Sequence, residues 1–386
     1  MAMTLDGSLG VTFNDSSLQG AAASPFGLKN RIINGAMVID QRNAGASFTP
    51  TNGSYGLDRW TFAATQASKF TAQQNAGSVT PPTGFSNYLG ITSSSAYSIT
   101  SGDIFYVRQP IEGFNTADLA FGTANAQTVT LSFWVRSSLT GTFGGALQNS
   151  AENRSYPFSY TISAANTWEK ETITITGDTS GTWIGATNGI GLSVIFGLGV
   201  GSTYTGTAGS WQAAQDFAPT GAVSVVGTNG ATWYITGVQL EVGSTATPFE
   251  RRLYNQELAN CQRYFETSYN QGNSPQAIPT NTPNSYAFLP SGTNTIGGGV
   301  NAAQQIMGPF FFRVQKRVLS TVTIYSYSTS TTSMAGNGWT GTDLAASSGS
   351  IGDTLTYGFT VINKSGGNVS TGGYGIIFGY SASAEL

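Results

Sequence analysis

The clearest pattern in the chain is a strict two-residue alternation in TVTLSFWVRSS. There Val129, Leu131, Phe133 and Val135 point one way, and Thr130, Ser132, Trp134 and Arg136 the other. That period belongs to a half-buried strand. ETITITGD repeats it with Ile173 and Ile175, and LDRWTFAA sets Trp60 and Phe62 on one face. IINGAMVID reads as a strand interrupted at Gly35, and AVSVVG as a further short one. In WYITGVQLEVG the apolar phase switches from Ile235 to Val238, Leu240 and Val242, with Gly237 at the switch, which predicts a β-bulge. Regular strands separated by Gly, Asn and Ser turns predict an all-β sandwich over residues 31–249.

At Thr247 the period changes. Thr247 as N-cap, Pro248 at the first helical position and Glu250 three after the cap form a capping-box arrangement. Tyr254, Leu258, Cys261 and Phe265 then recur at helical spacing. This predicts a linker helix over residues 250–267, its apolar stripe packing between domains or against copies of itself on a three-fold axis. Strand patterns return in FFFRV, TVTIYSYS, TYGFTVIN and YGIIFGY, so residues 268–386 read as a second β-sandwich, expected to be the distal, receptor-binding tip. Residues 1–30 hold one alternating piece, Leu9, Val11 and Phe13, too little for a core. They read as a docking segment that pairs with a partner's sheet edge.

Composition narrows the chemistry. The 386 residues include 16 Lys or Arg, 19 Asp or Glu and no His, for a net charge of -3. No imidazole base or ligand is available, and one Cys excludes a disulfide within the chain and a Cys-rich zinc site. Without a basic stretch, nucleic acid is not an expected partner. The longest apolar run, from Gly189, is 13 residues, too short to span a bilayer, so no membrane insertion is expected. The N-terminus lacks the basic start and apolar core of a signal peptide, which places synthesis in a cytoplasm.

Few residues remain as catalysts. Asp103 with Glu112, and Glu169 with Glu171 on one strand face, are the local carboxylate groupings. A solvated edge that discourages aggregation accounts for the second pair. No catalytic residue is assigned and no cofactor is expected. Asp40, Asp58 and Glu241 are conceivable calcium donors, but no Asp-rich loop gathers them, so no metal site is assigned. Arg251–Arg252 and the group Arg313, Lys316 and Arg317 are the basic spots, expected to snorkel or pair with carboxylates. Aromatic rings in turn-rich surroundings remain for recognition: Trp339, Tyr269 and Tyr286 are the candidate receptor- or glycan-binding residues.

Three stretches resemble bacteriophage tail-fibre and receptor-binding proteins. They are KNRIINGAMVIDQRNAG from Lys29 with LDRW at Leu57, ITGVQLEVGSTATPFERRLYNQELANCQRYFE from Ile235, and FFFRVQKRVLSTVTIYS from Phe310 with the terminal SASAEL. The lead LDGSLGVTFNDSSLQ is similar to short N-terminal pieces of phage fibres. The resemblance implies a virion protein whose first sandwich is like the jelly rolls of carbohydrate-binding modules. It further implies a homotrimer, joined to other tail or capsid proteins through residues 1–30 and adhering to a host surface polysaccharide. A head or capsid decoration fibre and a capsule-degrading tailspike enzyme are the alternatives.

Overall fold

The computed structural model describes residues 29–275, 305–325, 349–363 and 376–386, with the short strands 4–6, 10–12, 18–19, 286–288 and 336–337. At the N-terminus β1 (Thr4–Asp6), β2 (Gly10–Thr12) and β3 (Leu18–Gln19) form a small antiparallel meander. The main body follows: β4 (Thr61–Ala64), β5 (Phe70–Gln74), β6 (Leu89–Ser93), β7 (Ile104–Glu112), β8 (Val129–Ser137), β9 (Gly141–Gln148), β10 (Ser155–Ile162), β11 (Glu169–Ile175) and β12 (Ile190–Val200). Two short strands, β13 (Thr205–Gly206) and β14 (Ala218–Pro219), pair in parallel before β15 (Thr232–Val242).

The long strands make two five-stranded antiparallel sheets, in the orders β10-β9-β12-β7-β4 and β11-β8-β15-β6-β5. Their inner faces enclose one core. The expected inward set of β8, Val129, Leu131, Phe133 and Val135, is fully buried, as are Trp60, Phe62 and Trp233. The indoles keep their polar handles satisfied: Trp233 Nε1 donates to Tyr160 Oη at 3.0 Å and Trp60 Nε1 to the Asn34 carbonyl at 3.2 Å. This is a β-sandwich, as the alternation predicts, of the jelly-roll type that the resemblance to phage fibres implies.

Two expected strands are not strands. IINGAMVID runs as turns because Asn34 and Met37 adopt positive φ. The Asn34 side chain braces the loop, donating to the carbonyls of Ile39 (2.8 Å) and Asp58 (3.0 Å) and accepting from Ile39 N. Gly35 is needed there because its backbone presses against Val238, whose N–H it accepts at 3.0 Å. AVSVVG is also irregular: the amides of Val225 and Val226 both donate to the Leu198 carbonyl, while both side chains fill the core. The bulge at Gly237 is present, with φ of 63° and a register shift between Thr236 and Gln239.

The helix is shorter than residues 250–267. Helix α1 spans Tyr254–Gln262, with Leu253 as an N-cap that makes no side-chain cap bond. The capping box does not form because other partners, on β15, beside the helix and at Asn30, take its members. Thr247 Oγ1 donates to Glu241 (2.6 Å), and Glu250 accepts from Asn30 N (2.9 Å) and Arg252 Nε (3.1 Å). The next strand, β16 (Phe265–Thr267), already belongs to the C-terminal sheets, with β17 (Tyr286–Phe288), β18 (Gln305–Phe311), β19 (Thr321–Tyr325), β20 (Gly336–Asn337), β21 (Gly349–Thr354), β22 (Gly358–Asn363) and β23 (Ile376–Ser383). Strand β23 is their spine: β16 and β19 pair with its C-terminal part, and β17 and β20 with its first residues. Phe310, Phe312, Ile324, Phe359, Val361 and Tyr380 form the smaller core.

Residues after β23 lock onto the first sandwich. Glu385 pairs with Arg42 at 2.9 Å and with Arg59, whose side chain is 1% exposed. Arg59 also lies over the Tyr264 ring (3.6 Å to its centroid) and donates to the Pro110 carbonyl at 2.6 Å. Arg317 and Asn188 exchange bonds with each other's carbonyls, and Arg263 makes a two-pronged pair with Glu112. Among the described residues, no helix is long and apolar enough to cross a membrane.

Candidate functional site

The outer face of the β11-β8-β15 sheet carries a cleft of ≈ 240 Å³, far above the ~15 Å³ that one water needs. Its floor follows from the strand alternation. Trp134 sits on the outward phase of β8, opposite Lys170 on β11 and Thr236 on β15. The bulge then removes a side chain where one would fill the space. A Cβ on Gly237 would lie 2.6 Å from Phe85 Cζ and 3.2 Å from Trp134 Cδ1, so only glycine leaves both rings in place. Its φ of 63° is also one that other residues adopt at a cost.

The walls come from two loops. The turn at Pro82–Phe85 brings in Phe85, and the segment after β15 brings in Phe249 and Arg251. Phe85 and Phe249 meet edge to face at 5.1 Å, and the Arg251 guanidinium lies 4.7 Å over the Phe85 ring. The first loop is anchored by Tyr88, fully buried between Trp168 (5.5 Å) and Tyr234 (5.1 Å), with its hydroxyl donating to the Ala76 carbonyl at 2.5 Å. Burial raises the pKa of that hydroxyl, which keeps it a donor. The rings of the cleft are therefore held by a rigid sheet and a braced loop, with Ser132 and Thr247 hydroxyls beside them. Flat apolar faces with a few polar groups suit a ligand that is itself apolar on its faces and polar at its edges.

The residues singled out from the sequence lie elsewhere. Tyr269 is interior, 6% exposed, with its ring 6.2 Å from Tyr325 and its hydroxyl against Gly379. Reciprocal bonds between Ser268 and Tyr380 pull the segment onto β23, and burial pushes the Tyr269 hydroxyl up to about 12. Its assignment as a surface ring for a glycan is corrected accordingly. Tyr286 lies in β17 opposite Phe378. Trp339 lies outside the described residues. The four packing positions do not share one helical stripe: Phe265 belongs to β16, Cys261 and Phe265 are buried, Leu258 is half-buried and Tyr254 is 41% exposed. Tyr254, Leu258 and Tyr269 instead meet around a small cavity of ≈ 50 Å³. Burial raises the pKa of the Cys261 thiol, with the carboxylates of Asp58 and Glu257 adding to it.

The carboxylates are committed to structure. Burial would raise Asp103, yet hydrogen bonds from Thr100, Tyr97 and Thr65 outweigh it and hold the pKa at about 2. Burial likewise opposes ionisation of Glu112, but Arg263 and the Tyr264 hydroxyl (2.7 Å) lower its pKa. Glu169 accepts from the Ser163 and Ala164 amides, and burial with its neighbour's charge raises Glu171. Asp40 caps the amides of Asn43 and Gly45, Asp58 accepts from Gln41, and Glu241 accepts from Thr247 and Gln239. Among the described residues, no group of three carboxylates or thiols converges on a cation.

Trp134, Phe85 and Phe249 are not among the recognition residues expected from the sequence. The signal for Trp134 was its outward phase on the most regular strand; Phe85 and Phe249 carry no periodic signal. No protein family and no curated protein matches the chain. Among solved structures, it is similar to the enzymatically active domain of bacteriophage CBA120 tailspike protein 4, at 14% identity over 56% of this chain and 22% of the other, with a TM-score of 0.31. A sugar-binding protein of Bacteroides thetaiotaomicron, so described provisionally, gives 14% identity, 55% and 100% coverage, and a TM-score of 0.31. A family 11 carbohydrate-binding module of Clostridium thermocellum gives 11%, 52% and 98%, and 0.26.

Proposed function

We propose that the protein is a non-enzymatic adhesin of a phage virion, a tail-fibre or receptor-binding component that holds a host surface glycan in the Trp134 cleft. The observation that carries the glycan reading is the cleft itself: three rings from three chain segments, kept open by Gly237 and set on a rigid sheet. The resemblance of the segments at Lys29, Ile235 and Phe310 to phage fibres supports the virion placement, with residues 1–30 as the attachment piece and three copies of the chain per fibre. Weak single-site binding then gains avidity from the linked copies without any new contact. The engagement of Asp103, Glu112 and Glu169 in structural hydrogen bonds favours adhesion over hydrolysis.

The test uses the full chain on an array of bacterial surface polysaccharides. Trp134→Ala is expected to abolish retention with the melting temperature held within a few degrees, while Trp339→Ala leaves it. Retention that survives Trp134→Ala and is lost in Trp339→Ala would move recognition to the C-terminal sheets. New reducing ends in the bound polysaccharide would make it an enzyme. Immunogold labelling on the capsid would favour a decoration fibre, and a monomer by light scattering would remove the trimer.

A further inference from the structure

The basic residues of this chain are few, and most of those around the helix and C-terminal sheets are spent internally. Arg252 pairs with Glu250 and Glu257, Lys316 is buried against Glu266 at 2.6 Å, and Arg317 is bound to backbone carbonyls. Two cations on the cleft are different. Among the described residues, neither Lys170 nor Arg251 has a carboxylate within 4 Å, and both line the cavity above Trp134. A third, Arg136, lies on the same face of β8, over the Tyr234 ring at 5.5 Å, its Nε donating to the Asn166 carbonyl. The acids nearby do not compensate them. Glu169 and Glu171 are on the opposite phase of β11, and Glu171 acts on the buried Tyr160. Glu241 is on the cleft's sheet face but is buried, with three hydrogen bonds from Gln239 and Thr247.

We infer that the cleft selects acidic saccharides, with an anionic substituent held by Arg251 and Lys170 while the sugar ring lies on Trp134. The inference rests on the glycan reading above and adds the charge class of the ligand. Arg251 is prepared for it. Its flat face rests on Phe85 and Phe249, and Gly84, at φ of 88°, leaves room for its Nη2. The guanidinium is thereby oriented before any ligand arrives, with edges open to a two-pronged contact with a carboxylate or sulfate. A protein of net charge -3 that leaves these cations unpaired in one ring-lined cleft has a local field opposite to its overall charge.

The experiment is isothermal titration of the full chain with polygalacturonate, alginate and hyaluronan, each beside its carboxyl-reduced counterpart. At least one acidic polymer is expected to bind about tenfold or more tightly than its reduced form. That margin should shrink severalfold between 50 and 500 mM salt, where screening shortens to a few ångströms (~10 Å at 0.1 M, ~3 Å at 1 M). Arg251→Gln with Lys170→Gln should bring the two forms to equal affinity, whereas Trp134→Ala should weaken both. Equal binding of acidic and reduced forms, still lost in Trp134→Ala, overturns the charge preference and leaves the glycan reading intact. No binding of any acidic polymer, or an acidic preference that survives the double substitution, also overturns the inference. Binding indifferent to Trp134→Ala overturns the glycan reading with it.

Discussion

Substituting Glu385 by Ala tests the clasp between the two parts of the chain. Glu385 sits between Arg42 and Arg59, and Arg59 has no water to fall back on: its side chain is 1% exposed. Burial opposes the Arg59 charge and Glu385 beside it supports it, so removing Glu385 leaves the burial cost uncompensated, while the guanidinium, whose own pKa lies far above neutrality, stays charged. Arg42 keeps Asp58 at 3.9 Å, while Arg59 keeps only the Tyr264 ring and the Pro110 carbonyl. Leaving a buried charge unpaired costs about 3–5 kcal/mol. By contrast, Glu152→Ala removes the half-exposed partner of Arg108, at 3.2 Å, and such a pair is worth under about 1 kcal/mol. Guanidinium unfolding followed by tryptophan fluorescence, with the m-value checked for constancy, gives both numbers. Arg59→Met combined with Glu385→Leu should recover most of the loss, because removing both charges also removes the desolvation cost. A Glu385→Ala protein within about 1 kcal/mol of wild type would mean that water or a rearranged side chain reaches Arg59, and the clasp argument would fail.

Three further outcomes follow from particular residues. Burial lifts the Asp58 carboxyl to about 7, above its unfolded value of 3.8, so its contribution is fully present below pH 4 and lost as pH rises through 7. At roughly 1.4 kcal/mol per unit this is of order 4 kcal/mol, and Asp58→Asn should flatten the wild-type slope across that window in urea titrations. Gly237→Ala should cost about 1–2 kcal/mol from its positive φ. It should also displace Phe85, read as lost glycan retention together with a lower melting temperature. Deleting residues 2–28 should leave the melting temperature within a few degrees, since among the described residues β1–β3 pair only with one another, and should block incorporation into virions; loss of soluble protein would show the segment to be part of the fold.

The strand alternation was legible because each inward position of β8 or β12 meets the same kind of neighbour, an apolar ring or branched chain of the facing sheet. Period alone therefore determined the β-sandwich, the inward face of Val129 through Val135 and the bulge at Gly237. Where a residue has a partner outside the pattern it belongs to, the local signal lost. Thr247 and Glu250 would cap a helix if left alone, yet Glu241 and Asn30 claim them, and α1 starts later. The Asn34 amide turns IINGAMVID into a braced loop, and Ser268 with Tyr380 draws Tyr269 inside. The cleft shows the same division. Trp134's outward phase is written in β8, but Phe85, Lys170 and the pair Phe249 and Arg251 come from three separate segments with no shared period. Only the folded chain brings them to one face, because sheet pairing, a missing side chain at Gly237 and the buried Tyr88 fix distances between residues that the sequence holds far apart.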